Sequence, residues 1–332
     1  MIGKPSTAFF LGLTSLKRQS FHEISSLKVT NSIANEVEKI FNVDPKENLL
    51  GPPKSLESLK INESIIARNS FSGDITIQRL SRDPDIFLLK SVLSPEVTTS
   101  IKLFAQEQGL KIAGTRKSDE NSIRKNSHLT WLDKVDATSD RYFEIVKNME
   151  DLAVTFVHEA LRSQSEMYDL ESLQVAKYDQ EGKFDFHHDD YGRFATVLYY
   201  LNGVGGTYFP YAQTRENNDI ISLRNLDIEK THIPGKDGLL IVGKEDPKHY
   251  IHSELTGEEF DSASIAYIEP GDAVLFYNYR PGEKIENSLH GSLPVPCEKW
   301  IATNWIRSEK LTSSFGHLYA DQILSEGLGL YM

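Results

Sequence analysis

The chain has a single cysteine, Cys297, among 332 residues. No intrachain disulfide can form, which excludes the small secreted folds held by disulfide frameworks. An intracellular compartment follows, the cytoplasm first and the lumen of the endoplasmic reticulum second. Long apolar runs are also missing: none approaches the ~20 residues needed to cross a bilayer. The stretch Ala8-Phe9-Phe10-Leu11-Gly12-Leu13, set among Lys4, Lys17 and Arg18, is short for a signal peptide. Met1 to Ser26 therefore reads first as a poorly ordered terminus and second as a weak targeting peptide. Positive charge is scarce, with 36 Lys and Arg against 48 Asp and Glu and a formal net charge of -12. Binding to nucleic acid needs a basic stripe that neutralises phosphates, so no nucleic-acid partner is expected. A protein or small-molecule partner is.

An apolar content of 39% over this length can bury one large core, or a core plus a small appendage. Residues 27 to 72 mix short helical stretches such as Asn31 to Phe41 with the loop-like Gly51-Pro52-Pro53-Lys54-Ser55, and residues 1–74 read as an accessory, partly disordered segment. From Ser94 the pattern sharpens. Ser94 is an N-cap, Pro95 takes the first helical position, Val97, Ile101, Phe104 and Ala105 share one face, and Gly109 ends the helix. A longer helix follows Thr138-Ser139-Asp140, with Ile145, Met149, Leu152 and Phe156 at three- and four-residue steps. Beyond Leu170 the chain turns to short strands over Leu173 to Tyr178, Ala195 to Leu201, Ala263 to Ile268, Ala273 to Tyr277 and Trp300 to Ile306. Helices followed by short strands predict an α+β domain built on a double-sheet jelly roll. Residues 211–262 form a polar insertion, read either as a lid or partner-specific flap or as an inert excursion. Residues 311–332 form a tail.

The residues that carry chemistry are Gly182-Lys183-Phe184-Asp185-Phe186-His187-His188-Asp189 and, much later, Ser288-Leu289-His290. Two imidazoles and one carboxylate suit a borderline metal such as Fe(II), and three protein ligands leave positions open for reactants. In an extended segment His187 and Asp189 point the same way and His188 points away. A bare His-x-Asp also suits a solvated polar loop, so its surroundings decide.

Those surroundings run from Tyr178 through Gly182-Lys183-Phe184, His187-His188-Asp189, Arg193-Phe194-Ala195-Thr196, Tyr200-Leu201-Asn202 and Gly205-Gly206-Thr207-Tyr208-Phe209-Pro210. They continue with Gly271 to Phe276, Ser288 to His290, Pro294-Val295 and Lys299 to Trp305. In this order they resemble the prolyl 4-hydroxylase branch of the 2-oxoglutarate- and Fe(II)-dependent dioxygenases. Ile77 to Leu93 with Ser94-Pro95-Glu96, and Ile123 to Ser127 with Trp131-Leu132, extend the likeness upstream. It covers roughly residues 75–310, the expected catalytic domain. Two departures stand out. Gly-Gly-Thr is one residue shorter than the family's Gly-Gly-x-Thr, and His290 and Lys299 stand one residue closer than is usual in the family.

The resemblance implies a double-stranded β-helix, a cupin-like jelly roll flanked by N-terminal helices. It implies Fe(II) held by His187, Asp189 and His290, with 2-oxoglutarate and O2 as cosubstrates and ascorbate as reductant. Lys299 would meet the distal carboxylate of 2-oxoglutarate, as a point charge where other branches use Arg. Thr303, on the same strand face, and Tyr200 would reach the same carboxylate, and Tyr178 would lie near the iron. Arg124 and Trp305 would face the substrate, a proline-containing peptide or protein, hydroxylated as 2-oxoglutarate becomes succinate and CO2. The same chemistry on a free amino acid or other small molecule is the second reading. A noncatalytic jelly-roll binding module is the third, and the presence of all three ligands and the lysine argues against it. Asp189 also argues against the halogenating variant, which lacks that carboxylate.

Overall fold

The computed structural model describes residues 50–69, 73–113, 124–162, 165–215, 238–244, 265–280 and 283–308. The readings of Met1 to Ser26, of a helix over Asn31 to Phe41 and of the tail 311–332 lie outside these residues.

One continuous sheet, antiparallel except where Leu239–Gly243 pairs with Ile265–Ile268, curls into two facing halves, a larger and a smaller sheet, and one long strand belongs to both. Leu173–His187 begins in the larger sheet, where Gln174 to Tyr178 pair with Thr303 to Lys299. The strand Lys299–Arg307 pairs on its other side with Arg193–Tyr200, which pairs in turn with Ala273–Tyr277. The smaller sheet starts from the far end of the long strand, where His187 stands opposite His290 and Phe184 opposite Ser292. It continues through His290–Ser292, Thr207–Phe209 and Leu239–Gly243. This strand order is the double-stranded β-helix, a jelly roll. Between its two halves the long strand turns at Glu181, where φ is 61°.

The alternation of side chains sorts the apolar residues into two cores. One face of the larger sheet, with Val175, Val197, Tyr199, Leu275 and Ala302, packs against the helices Pro95–Gln108 and Asp140–Thr155 through Phe104, Val146 and Met149. The other face, with Ala176, Leu198, Val274, Phe276 and Ile301, meets Phe209, Leu239 and Ile241 of the smaller sheet. The helix ends follow their sequence signals. Ser94 Oγ accepts from the Val97 amide at 3.4 Å, Ser139 Oγ accepts from the Tyr142 amide at 3.3 Å, and Gly109 leaves the first helix at φ 83°.

Three expectations change. The domain reaches further towards the N-terminus than residue 75, because Ser64–Asn69 is a strand paired with Gly73–Arg82, and Leu50, Leu56 and Leu59 lie in the core. Buried Arg79 ties them in, pairing with Asp85 and donating to the carbonyls of Leu56, Glu57 and Leu59 at 3.3, 2.9 and 3.1 Å. The Pro-rich stretch hid this, since its Lys54–Glu57 turn is helical yet too short to show a period. The strand predicted to stop at Tyr178 runs on to His187. Inside the polar insertion, Leu239–Gly243 is a wholly buried strand, which the short apolar run Leu-Leu-Ile-Val could have signalled.

Gly271 opens the strand Ala273–Tyr277 at φ 89°, and a Cβ there would lie 2.1 Å from the Leu93 carbonyl oxygen. Gly271→Ala is expected to cost roughly 2–4 kcal/mol from the left-handed backbone and the collision together. A lowered urea midpoint checks it; an unchanged one would mean that this turn yields.

Candidate active site

The backbone ladder does most of the assembly. His187 and His290 are opposed across the smaller sheet, so their rings lie 4.4 Å apart although they are distant in sequence. Asp189 follows just past the strand end and turns back towards both. Nε2 of His187 is 3.8 Å from Asp189 Oδ1, and Nε2 of His290 is 3.9 Å from Oδ2. One donor atom from each residue lies within 4.8 Å of the others.

Hydrogen bonds select the tautomers. His187 Nδ1 is 2.8 Å from the Asp185 carbonyl, and His290 Nδ1 is 3.0 Å from the Ser288 carbonyl. A carbonyl can only accept, so the proton sits on Nδ1 and each Nε2 lone pair is left for a ligand. Burial pushes the His187 imidazole well below its ordinary pKa, helped by neighbouring His290 and opposed by Asp189, so it is neutral at pH 7. Burial pushes the Asp189 carboxyl up, but His290, His187, Arg193 and the Thr196 hydroxyl more than offset this and hold it at about 2. A neutral His187 and an ionised Asp189 are protonation states that divalent metal binding requires. The donor set fits Fe(II).

Behind Asp189 stands a chain of donors. Thr196 Oγ1 donates to Asp189 Oδ2 at 2.7 Å, while Asn278 Nδ2 reaches Thr196 Oγ1 and the Arg193 carbonyl, both at 3.1 Å. Around the imidazoles the wall is aromatic: Phe184 stacks on His187 at 3.7 Å, and Phe209 and Phe276 flank His290 at 5.3 and 4.7 Å.

The three residues open onto a cavity of about 450 Å³, part of it continuous with solvent. Lys299, Ile301, Thr303 and Trp305 line it from one strand, as side-chain alternation requires. Lys299 is fully buried, its Nζ 2.9 Å from Ser292 Oγ and 5.6 and 5.8 Å from the ring centres of Tyr178 and Tyr200. Tyr178 lines the cavity. Tyr200 lies behind it and donates to Thr207 Oγ1 at 2.9 Å, and Thr207 is the residue exposed to the space. A buried cation on an otherwise largely apolar wall, with Ser292, Thr207 and Thr303 beside it, fits one end of a small dicarboxylate such as 2-oxoglutarate.

At the mouth, the Arg124 guanidinium lies 3.9 Å over the Phe184 ring and donates to Gln174 Oε1 at 3.4 Å. Trp305 lines the cavity beside Trp131, at 5.7 Å, and under Arg193, at 3.9 Å. Arg193 is gripped by both carboxylate oxygens of Glu171 at 2.7 Å. The Trp305 indole nitrogen is buried with no hydrogen-bond partner among the described residues.

Sequence reasoning passed over Ser292, Thr207 and Gln174, although two were within reach of it. Ser292 stands two residues after His290 and Gln174 four before Tyr178, on the same strand faces. No local signal marks Asn278, which meets Thr196 only through strand pairing.

Residues 173–307 match the family model described as the 2OG-Fe(II) oxygenase superfamily. Prolyl 4-hydroxylase 13 of Arabidopsis thaliana is 32% identical over 154 residues, which are 42% of this chain and 43% of that protein. Transmembrane prolyl 4-hydroxylase of Mus musculus is 26% identical over 232 residues, 59% of this chain and 40% of that protein. The chain thus spans less than half the length of these curated relatives. Among solved structures, the viral collagen prolyl hydroxylase of Paramecium Bursaria Chlorella virus-1 covers 67% of this chain and 96% of its own, at 21% identity and a TM-score of 0.39.

Proposed function

We infer from the match of residues 173–307 to the 2OG-Fe(II) oxygenase superfamily that the protein is a dioxygenase that hydroxylates prolyl residues of a peptide or protein. One observation carries the reading: His187, Asp189 and His290 converge at a cavity whose wall holds the fully buried side chain of Lys299. Bound Fe(II), with 2-oxoglutarate and O2, supplies the oxidation, one oxygen atom entering a substrate C–H bond and the other the succinate formed with CO2. Ascorbate serves as an external reductant.

The chain's own residues supply binding, orientation and exclusion of water. His187, Asp189 and His290 would hold the metal on one side and leave the other side to the reactants. Lys299, with Ser292, Thr207 and Thr303, would anchor the far carboxylate of 2-oxoglutarate and so set which way its keto acid end points. The aromatic wall of Phe184, Phe209 and Phe276 keeps water from the imidazoles. Arg124 and Trp305 line the same cavity and would face the polypeptide.

The prolyl substrate is supported by the likeness to prolyl 4-hydroxylases. Among the described residues no helix is long and apolar enough to cross a membrane. The lone Cys297 supports an intracellular site of action. The test is a panel of proline-containing peptides with Fe(II), 2-oxoglutarate and ascorbate under air. The expected result is peptide-dependent succinate formation with one oxygen added to a proline. Succinate formed without any modified peptide would overturn the prolyl assignment and promote a small-molecule substrate.

A further inference from the structure

We propose that His188 is a positioning residue that holds the metal centre in shape by tying the turn bearing His187 and Asp189 to the separate segment bearing His290. The inference rests on the metal-binding reading of those three residues. His188 sits between two of the ligands but turns away from them. Its Nε2 lies 3.0 Å from the Glu286 carbonyl oxygen. The carbonyl only accepts, so Nε2 carries the proton and donates it.

Glu286 opens the short 3-10 turn Glu286–Ser288, and the Ser288 carbonyl at its end accepts from His290 Nδ1 at 3.0 Å. The path from the first ligand segment to the orientation of the second is therefore His188, Glu286, Ser288, His290. Parallel ties hold the same segment from both sides. Lys284 Nζ pairs with Asp190 Oδ1 at 2.7 Å, in the turn that carries Asp189. Asn287 Nδ2 donates to Asp83 Oδ2 at 2.7 Å, and Asp83 also pairs with Arg280. The Ile285 amide donates to the Asn278 carbonyl at 2.8 Å, linking the segment to the residue that supports Thr196 and Asp189.

The physical need is specific to this geometry. Strand pairing opposes His187 and His290, but the register of that pairing shifts between His290 and Ser292, so backbone pairing by itself does not set the direction of the His290 ring. The approach to His290 is a turn, and the His188 contact is a direct side-chain bridge from one ligand segment to it. Partners of this kind, acting on the orientation of a ligand rather than on the metal, change metal affinity by ~10–100-fold.

The experiment titrates metal-free full-length protein with Co(II), whose visible bands report both occupancy and coordination geometry, without cosubstrate. His188→Leu keeps side-chain bulk and removes the donor; His188→Gln places an amide N–H where Nε2 stood. Co(II) binding is expected to weaken by about 10-fold or more in His188→Leu, with altered bands, and to return to within about threefold of wild type in His188→Gln. His188→Ala, with melting curves of the metal-free proteins, serves if the leucine variant is poorly folded. Wild-type affinity and bands in His188→Leu or His188→Ala would overturn the proposal, as would a His188→Gln no better than they are. If the wild type itself gives no Co(II) bands, the metal reading fails first, whereas bands unchanged by the substitutions sink the positioning role alone.

Discussion

Replacing Lys299 with methionine is expected to raise the 2-oxoglutarate concentration for half-saturation by roughly 30-fold or more. Losing one partner of a buried, hydrogen-bonded charge pair costs about 2–5 kcal/mol, and each 1.4 kcal/mol is tenfold in affinity. Lys299 is wholly buried, with the rings of Tyr178 and Tyr200 5.6 and 5.8 Å from its Nζ. Methionine has a similar length and brings no charge, so the fold should lose little and the thermal midpoint should move by only a few degrees. Lys299→Arg is not a rescue. A planar guanidinium is bulkier than an ammonium and would not place a point charge 2.9 Å from the Ser292 hydroxyl. Succinate formation as a function of 2-oxoglutarate concentration, with Fe(II) saturating, is the measurement. An unchanged half-saturation in a folded Lys299→Met variant would mean that the cosubstrate is anchored elsewhere.

The second large effect is on the metal itself. His290→Ala removes one of three donors and is expected to weaken Fe(II) binding by at least about 100-fold, beyond the range usual for residues that only support a ligand. The visible absorption that 2-oxoglutarate gives with Fe(II) in wild-type protein under anaerobic conditions should vanish. The substitution also empties space between Phe209 and Phe276, so its folding cost must be measured separately. A melting curve of the metal-free variant does this. A persistent absorption band in folded His290→Ala would remove His290 from the metal centre.

The helix Pro95–Gln108 shows how much local chemistry can announce. A serine cap, a proline at the first position and a glycine at the end leave little room for another structure, and the observed bounds follow them. The strands of the larger sheet were legible for the same reason, since each is a short β-branched or aromatic run between turns. The smaller sheet was not. Thr207–Phe209 and His290–Ser292 are three residues each, too few for a period to show; His290–Ser292 is a strand because the bent end of Leu173–His187 offers it a ladder, and Thr207–Phe209 because it pairs with His290–Ser292 and Leu239–Gly243. Ser64–Asn69 was passed over because its alternation is weak and half exposed, and its place is decided by pairing with Gly73–Arg82.

What the amino-acid order determined by itself is the chemistry available: two histidines and an aspartate, a lysine on an alternating strand, and the motifs that set their order. Tertiary structure decided what those residues face. Only folding brings His290 opposite His187, aims both Nε2 atoms at Asp189, closes Tyr178 and Tyr200 around Lys299, and sends His188 to the Glu286 carbonyl rather than to the metal. The physical reason is that side-chain identity is local, whereas the distances, burial and hydrogen-bond partners that set protonation and ligand direction arise between strands far apart in the chain.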